Sequence, residues 1–194
     1  MSESLTTTSL TQAPLKSLVE AILFASGSPV LIEQLAKTVE RASKEEIRQT
    51  LKQLTEEYED SARGLKILEI AGGYQMVTKR ELAPYVKRFL QKVPERLSRQ
   101  CLETLAITAY RQPITRLEIE QIRGVSAESP LQTLLEKGML KIAGRKEVLG
   151  RPFLYGTTPL FLERFGLGSL EDLPQLEEIT KMNNNENLST AQTN

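Results

Sequence analysis

The feature that most constrains this chain is a local plan that occurs twice. Leu15, Leu18, Val19, Ile22 and Leu23 fall at the spacing of one helical stripe, and Gly27, Ser28 and Pro29 end it before Val30. About 84 positions later the pattern returns. Cys101, Leu102, Leu105, Ala106 and Ala109 form a stripe that ends at Gln112, Pro113 and Ile114. A proline at matching places after matching stripes predicts two copies of one structural unit rather than a single long bundle.

The segments after each stripe are repeated too. In the first copy a short helix fits Ile32 to Val39, and Ser43 with Glu46 three residues on is a capping box ahead of Ile47, Leu51, Leu54 and Tyr58. Segments 65–70 and 74–78 around Gly72 and Gly73 predict a β-hairpin. In the second copy, Thr115 can cap a helix containing Leu117 and Ile122 that Gly124 ends. Ser126 can cap a third helix carrying Leu131, Leu134 and Leu135, and Gly138 closes it. Segments 139–143 and 153–157 then predict a second hairpin across a charged loop at 144–152. Three helices and then a hairpin is the winged-helix order. The expected class is mainly α with small β-hairpins (α+β), as two tandem winged helices.

Between the copies, Leu82, Tyr85, Val86, Phe89 and Leu90 mark an amphipathic linker helix, and Pro94 marks a break. The resulting division is a disordered tail at 1–13, a first winged helix at 14–79, a linker helix at 80–97 and a second winged helix at 98–168. An acidic to polar tail at 169–194, largely disordered, completes it, since its asparagine-rich end has little to bury.

Composition narrows the function. The chain has no histidine, which removes the commonest general base and the usual partner in serine or cysteine triads. Its single cysteine, Cys101, lies in an apolar stripe and is read as a small buried hydrophobe rather than a reactive thiol. No phosphate-cradling loop with a lysine is present, so no catalytic, metal or cofactor residue is assigned and an enzyme is not expected. No apolar run is long enough to span a membrane, and the first eleven residues lack the features of a signal or transit peptide, which predicts a cytoplasmic protein.

Charge argues against the commonest winged-helix role. Segment 43–60 holds three basic residues against six acidic ones, and segment 126–137 has Lys137 against Glu128 and Glu136. A recognition helix lying against DNA phosphates needs the opposite balance. Positive charge instead gathers at 79–99, with seven basic and two acidic residues, among them Lys87, Arg88, Lys92 and Arg96. This patch reads as a solvated helix face, or as an auxiliary contact with DNA or an acidic partner. Arg145, Lys146 and Arg151 form a second concentration in the second wing loop.

Several segments resemble the ScpB family (segregation and condensation protein B). They are ETLAITAYRQPITR at 103–116, IRGV at 122–125, LLEKG at 134–138 and GRKEVLGRP at 144–152, then YGTT at 155–158, FLERFGL at 161–167 and SLEDLP at 169–174. The first unit is similar through EAILF at 20–24 and GGYQM at 72–76, so the likeness runs from about residue 15 to about 174. Pro130 at the start of the third helix departs from the family pattern, although a first helical turn accepts proline.

The resemblance implies a homodimer paired mainly through the first winged helix, with the second gripped by an ScpA-like kleisin. It further implies SMC ATPase heads reached through the kleisin, a nucleoid-associated location, and DNA met only indirectly. The candidate kleisin-contact residues are Arg111, Gln112, Arg123, Arg145, Arg151 and Tyr155. Each also has a structural reading. Arg111 and Gln112 can cap a helix end, Gly124 beside Arg123 can simply stop a helix, Gly150 and Pro152 around Arg151 can shape the loop, and Tyr155 can pack on the hairpin. The alternative function is a DNA-binding winged-helix transcription regulator.

Overall fold

The computed structural model describes residues 13–91 and 96–175. The expected tails at 1–12 and 176–194, together with Lys92 and Pro94, lie outside the described residues.

The first unit begins with α1 (Leu15–Ser26), which Gly27 ends at φ 63°. α2 (Ile32–Val39) and α3 (Lys44–Tyr58) come next. Ser43 caps α3 as its spacing predicts, with its hydroxyl accepting from the Glu46 amide while the Glu46 carboxylate accepts from the Ser43 amide at 2.8 Å. The apolar stripe of α3 faces inward. Ile47, Leu51 and Leu54 are fully buried beside Val19, Leu23 and Leu35 from the other two helices.

β1 (Leu65–Ile70) and β2 (Gly73–Thr78) complete the unit as an antiparallel hairpin. The turn lies one residue earlier than the Gly72–Gly73 pair suggests. Ala71 and Gly72 are its central residues, at φ 52° and 74°, and Gly73 is the first residue of β2. The cause is Val30, whose amide and carbonyl bond to Tyr74 at 2.9 Å each. A Cβ at position 73 would sit 2.8 Å from the Val30 carbonyl, so the second glycine serves a close backbone approach rather than the turn.

The linker helix is shorter than expected. A single 3₁₀ turn (Arg80–Leu82) leads into α4 (Ala83–Leu90), and none of its residues is buried. Its apolar side chains stay open, with Tyr85 74% and Phe89 84% exposed.

The second unit starts with α5 (Arg99–Arg111), capped by Ser98, and turns at a cis Gln112–Pro113 bond into β3 (Ile114–Thr115). Then come α6 (Arg116–Arg123), α7 (Glu128–Glu136), β4 (Leu140–Arg145) and β5 (Phe153–Thr157). β3 adds to the hairpin, giving a three-stranded sheet in the order β3, β5, β4 where a hairpin alone was expected. Ser126 is not the cap of α7. Ala127 takes that position, and its amide donates to Glu120 at 3.0 Å.

Two further elements follow where no regular structure was expected. α8 (Pro159–Phe165), capped by Thr158, buries Phe161 in the second core. Residues 169–175, expected as the start of a disordered tail, carry a 3₁₀ turn (Leu170–Asp172) and pack Leu173 onto the same core. The Tyr110 hydroxyl donates to the Pro174 carbonyl at 2.6 Å.

The two cores share no residue. Val19, Leu35, Ile47, Leu51 and Leu54 centre the first, and Leu105, Ile119, Leu131 and Leu134 the second. The chain is an α+β protein of two tandem winged helices.

Candidate partner-binding surface

Two of the predicted contact residues, Arg145 at the end of β4 and Arg151, stand at the two ends of the loop between β4 and β5. The loop is built on a scaffold that starts in α6. The Thr115 hydroxyl caps that helix, and Glu118 closes a reciprocal box by accepting from the Thr115 amide at 2.9 Å and its hydroxyl at 2.7 Å. The other Glu118 oxygen takes the Lys146 ammonium at 2.6 Å. Bonding to Lys146 first, and to Thr115 next, lowers the Glu118 carboxyl from 4.5 to about 2. Lys146 is thereby tied to the helix, and the loop is held at its base.

Arg145 and Arg151 come together across this loop. The Arg145 guanidinium donates to the Arg151 carbonyl at 3.0 Å and lies 4.0 Å from the centroid of the Phe153 ring. Gly150 at φ 84° and Arg151 at φ 39° turn the chain within the loop. At the tip, Leu149 is fully exposed and Val148 half exposed, and Arg145, Glu147 and Arg151 are exposed in the same stretch of chain.

Three predicted contacts are engaged inside the unit. Gln112 joins the end of α5 to β5, with its amide nitrogen donating to the Ala109 carbonyl at 3.2 Å and the Thr157 hydroxyl at 3.0 Å. Its amide oxygen accepts from the Thr157 amide at 2.7 Å. Gly156 permits this, because a Cβ there would stand 3.0 Å from that oxygen. Arg123 is turned inward. Its side chain is 3% exposed, donating to the Ser126 carbonyl at 2.8 Å and lying 3.6 Å from the Glu103 carboxylate. As a surface contact the assignment of Arg123 is corrected, because α6 ends against α5 with the guanidinium between them. Tyr155 is half-buried against the second core, opposite Ile114 and Ile142 in the sheet.

Arg111 is exposed in the last turn of α5. Beside it, an open groove of about 530 Å³ is lined by Gln112, Pro113, Lys141, Leu154, Leu162 and Leu170 among others. No sequence signal marked Lys141 or the α8 residues as surface partners, since their grouping depends on the sheet and on a helix that went unread. In the linker, Lys87 and Arg88 are exposed in the last turn of α4 and Arg96 is exposed beyond it. Lys92, the fourth member of the basic patch, lies outside the described residues.

Among the described residues no group of three His, Cys, Asp or Glu side chains could hold a metal ion, and Cys101 is buried. Among the same residues no helix is long and apolar enough to cross a membrane.

Comparison with known proteins places this architecture. The family model for segregation and condensation complex subunit ScpB matches residues 17–176. Segregation and condensation protein B of Desulforamulus reducens is 47% identical over 163 residues, covering 84% of this chain and 90% of the relative. That of Syntrophotalea carbinolica is 46% identical over 168 residues, covering 87% and 85%. Among solved structures, a dimer of the ScpB N-terminal domain complexed with ScpA peptide is 31% identical, covers 42% of this chain and 98% of its own, and has a TM-score of 0.39.

Proposed function

The chain belongs to the family of segregation and condensation complex subunit ScpB, and from that membership we propose that it is a non-catalytic architectural subunit of a condensin-like SMC complex. It binds an ScpA-like kleisin and, through it, sits on SMC ATPase heads during chromosome condensation and partition. The observation that carries this reading is the family match across 17–176, which takes in both units and the segment between them. The protein works in the cytoplasm at the nucleoid, and it acts through binding energy.

The roles divide between the units. The first winged helix, 14–79, pairs with a second copy, and the segment 80–97 connects it to the second, 98–168, which binds the kleisin. Phe24, 72% exposed on α1, and Tyr85 and Phe89 on α4 offer the apolar surface that a second copy would cover. Arg111, Arg145 and Arg151 remain the kleisin contacts.

A DNA-binding regulator fits less well. Within α3, Lys44 pairs with Glu33 at 3.0 Å and Arg48 with Glu45 at 3.4 Å, so two of its three cations already face carboxylates. α7 contains Glu128 and Glu136 and no lysine or arginine. Phosphate contact needs free cations on that helix.

Light scattering on size-exclusion peaks tests the proposal with three samples: the protein alone, with the central segment of its cognate kleisin, and with duplex DNA. A dimer that co-elutes with the kleisin and ignores DNA at physiological salt is expected. A species that ignores the kleisin and shifts with DNA would replace this reading with the regulator.

A further inference from the structure

The turn of the first hairpin has two amide groups that its own unit does not use. Ile70 and Gly73 are the last paired residues of the β1–β2 ladder, and Ala71 and Gly72 between them both have positive φ, as a type I′ turn requires. Their N–H groups lie outside the ladder, where water would normally take them.

Here both find protein. The Ala71 amide donates to the Leu167 carbonyl at 2.8 Å and the Gly72 amide to the Gly168 carbonyl at 3.0 Å. The acceptors belong to the second unit. Leu167 packs on its core, and the Leu167 amide donates to the Leu162 carbonyl at 2.9 Å, so the segment is anchored at the end of α8.

The receiving edge is shaped for this approach. One Asp172 oxygen accepts from the Gly168 amide at 2.8 Å and the Ser169 amide at 2.9 Å, fixing the backbone that presents the two carbonyls. A Cβ at position 168 would lie 2.9 Å from that same oxygen and 3.4 Å from the Glu69 carbonyl in the first hairpin. Glycine leaves room for the two backbones to meet. Ile70, next to the turn, is 3% exposed yet joins neither core, as expected of a residue covered by the opposite unit.

We propose that the turn amides of the first wing are a docking site for the Leu167–Gly168 edge of the second unit, forming a latch that holds the units together in the free chain and can be released. The latch does not depend on the kleisin reading. Its release is governed by how few hydrogen bonds join the units. The cores are separate, and the two neutral backbone bonds by themselves favour the closed form by a factor on the order of tenfold to a hundredfold, with the covering of Ile70 adding to it.

Amide hydrogen exchange monitored by NMR on the full chain tests this. The Ala71 and Gly72 amides should exchange roughly tenfold or more slowly than free turn amides. Gly168→Val should accelerate both about fivefold or more, with amides in the β1–β2 ladder unchanged. Asp172→Ala, which adds no bulk, should do the same through the loosened acceptor edge. Turn amides that exchange freely in the unmodified protein would overturn the proposal, as would protection that both variants leave intact. Protection that disappears on dilution would move the contact between copies and overturn the intrachain form.

Discussion

Gln112 and Glu118 show how single side chains hold the second unit. Gln112 satisfies the Thr157 amide, and Thr157 is 8% exposed, so Gln112→Ala leaves a buried donor without its acceptor. The expected cost is about 1 to 3 kcal/mol, read as a lower denaturant midpoint for the second unit. Glu118 adds a pH dependence. Its carboxyl is held at about 2 in the folded chain against 4.5 ordinarily, so its stabilisation is present above 4.5 and is lost as pH falls from there toward 2. The Lys146 and Glu118 side chains are 42% and 38% exposed, and solvent screening limits the contribution to about 1 kcal/mol. Glu118→Gln should therefore lower the melting temperature at pH 7, with the difference from the unmodified protein shrinking toward pH 2. A constant difference across that range would reject the charged box. The capping at Thr115 was legible because a threonine stands directly before the apolar positions of the helix. The Lys146 partner of Glu118, 28 residues further on, was not.

The same contrast governs whole elements. α3 could be read in full because its cap, its stripe and its length all lie within one helix. α8 was missed because it is only seven residues long with Phe161 alone buried, which leaves no repeated stripe to detect even though Thr158 and Pro159 suit a helix start. The inward turn of Arg123 is equally local in position and nonlocal in cause, since it depends on α5 passing beside the end of α6. In the second wing, Arg145 and Arg151 were visible as charges, whereas the stacking of Arg145 on Phe153 required the hairpin to form. Reversing both charges, Arg145→Glu with Arg151→Glu, should weaken kleisin binding about tenfold or more with little change in melting temperature, as titration calorimetry and thermal denaturation would show. Unchanged affinity in a folded variant would remove them as contacts.

At the scale of the whole molecule, two separate cores imply two units of stability. Leu51 in the first core is fully buried, and Leu51→Ala should cost about 2 to 5 kcal/mol there while amides of the second unit keep most of their protection from exchange. A single transition in which both units lose protection together would show stronger coupling than the separate cores imply. The duplication itself was legible, because prolines after matching stripes repeat at a fixed offset. How the copies meet was not, since the meeting uses main-chain groups that every residue carries. That chemistry has a further consequence. The bonds from Ala71 and Gly72 join uncharged amides to uncharged carbonyls, so ionic strength has little purchase on them. Contacts made through Arg145 and Arg151 should fade as salt rises, while the spacing of the two units stays the same in dilute buffer and in brine.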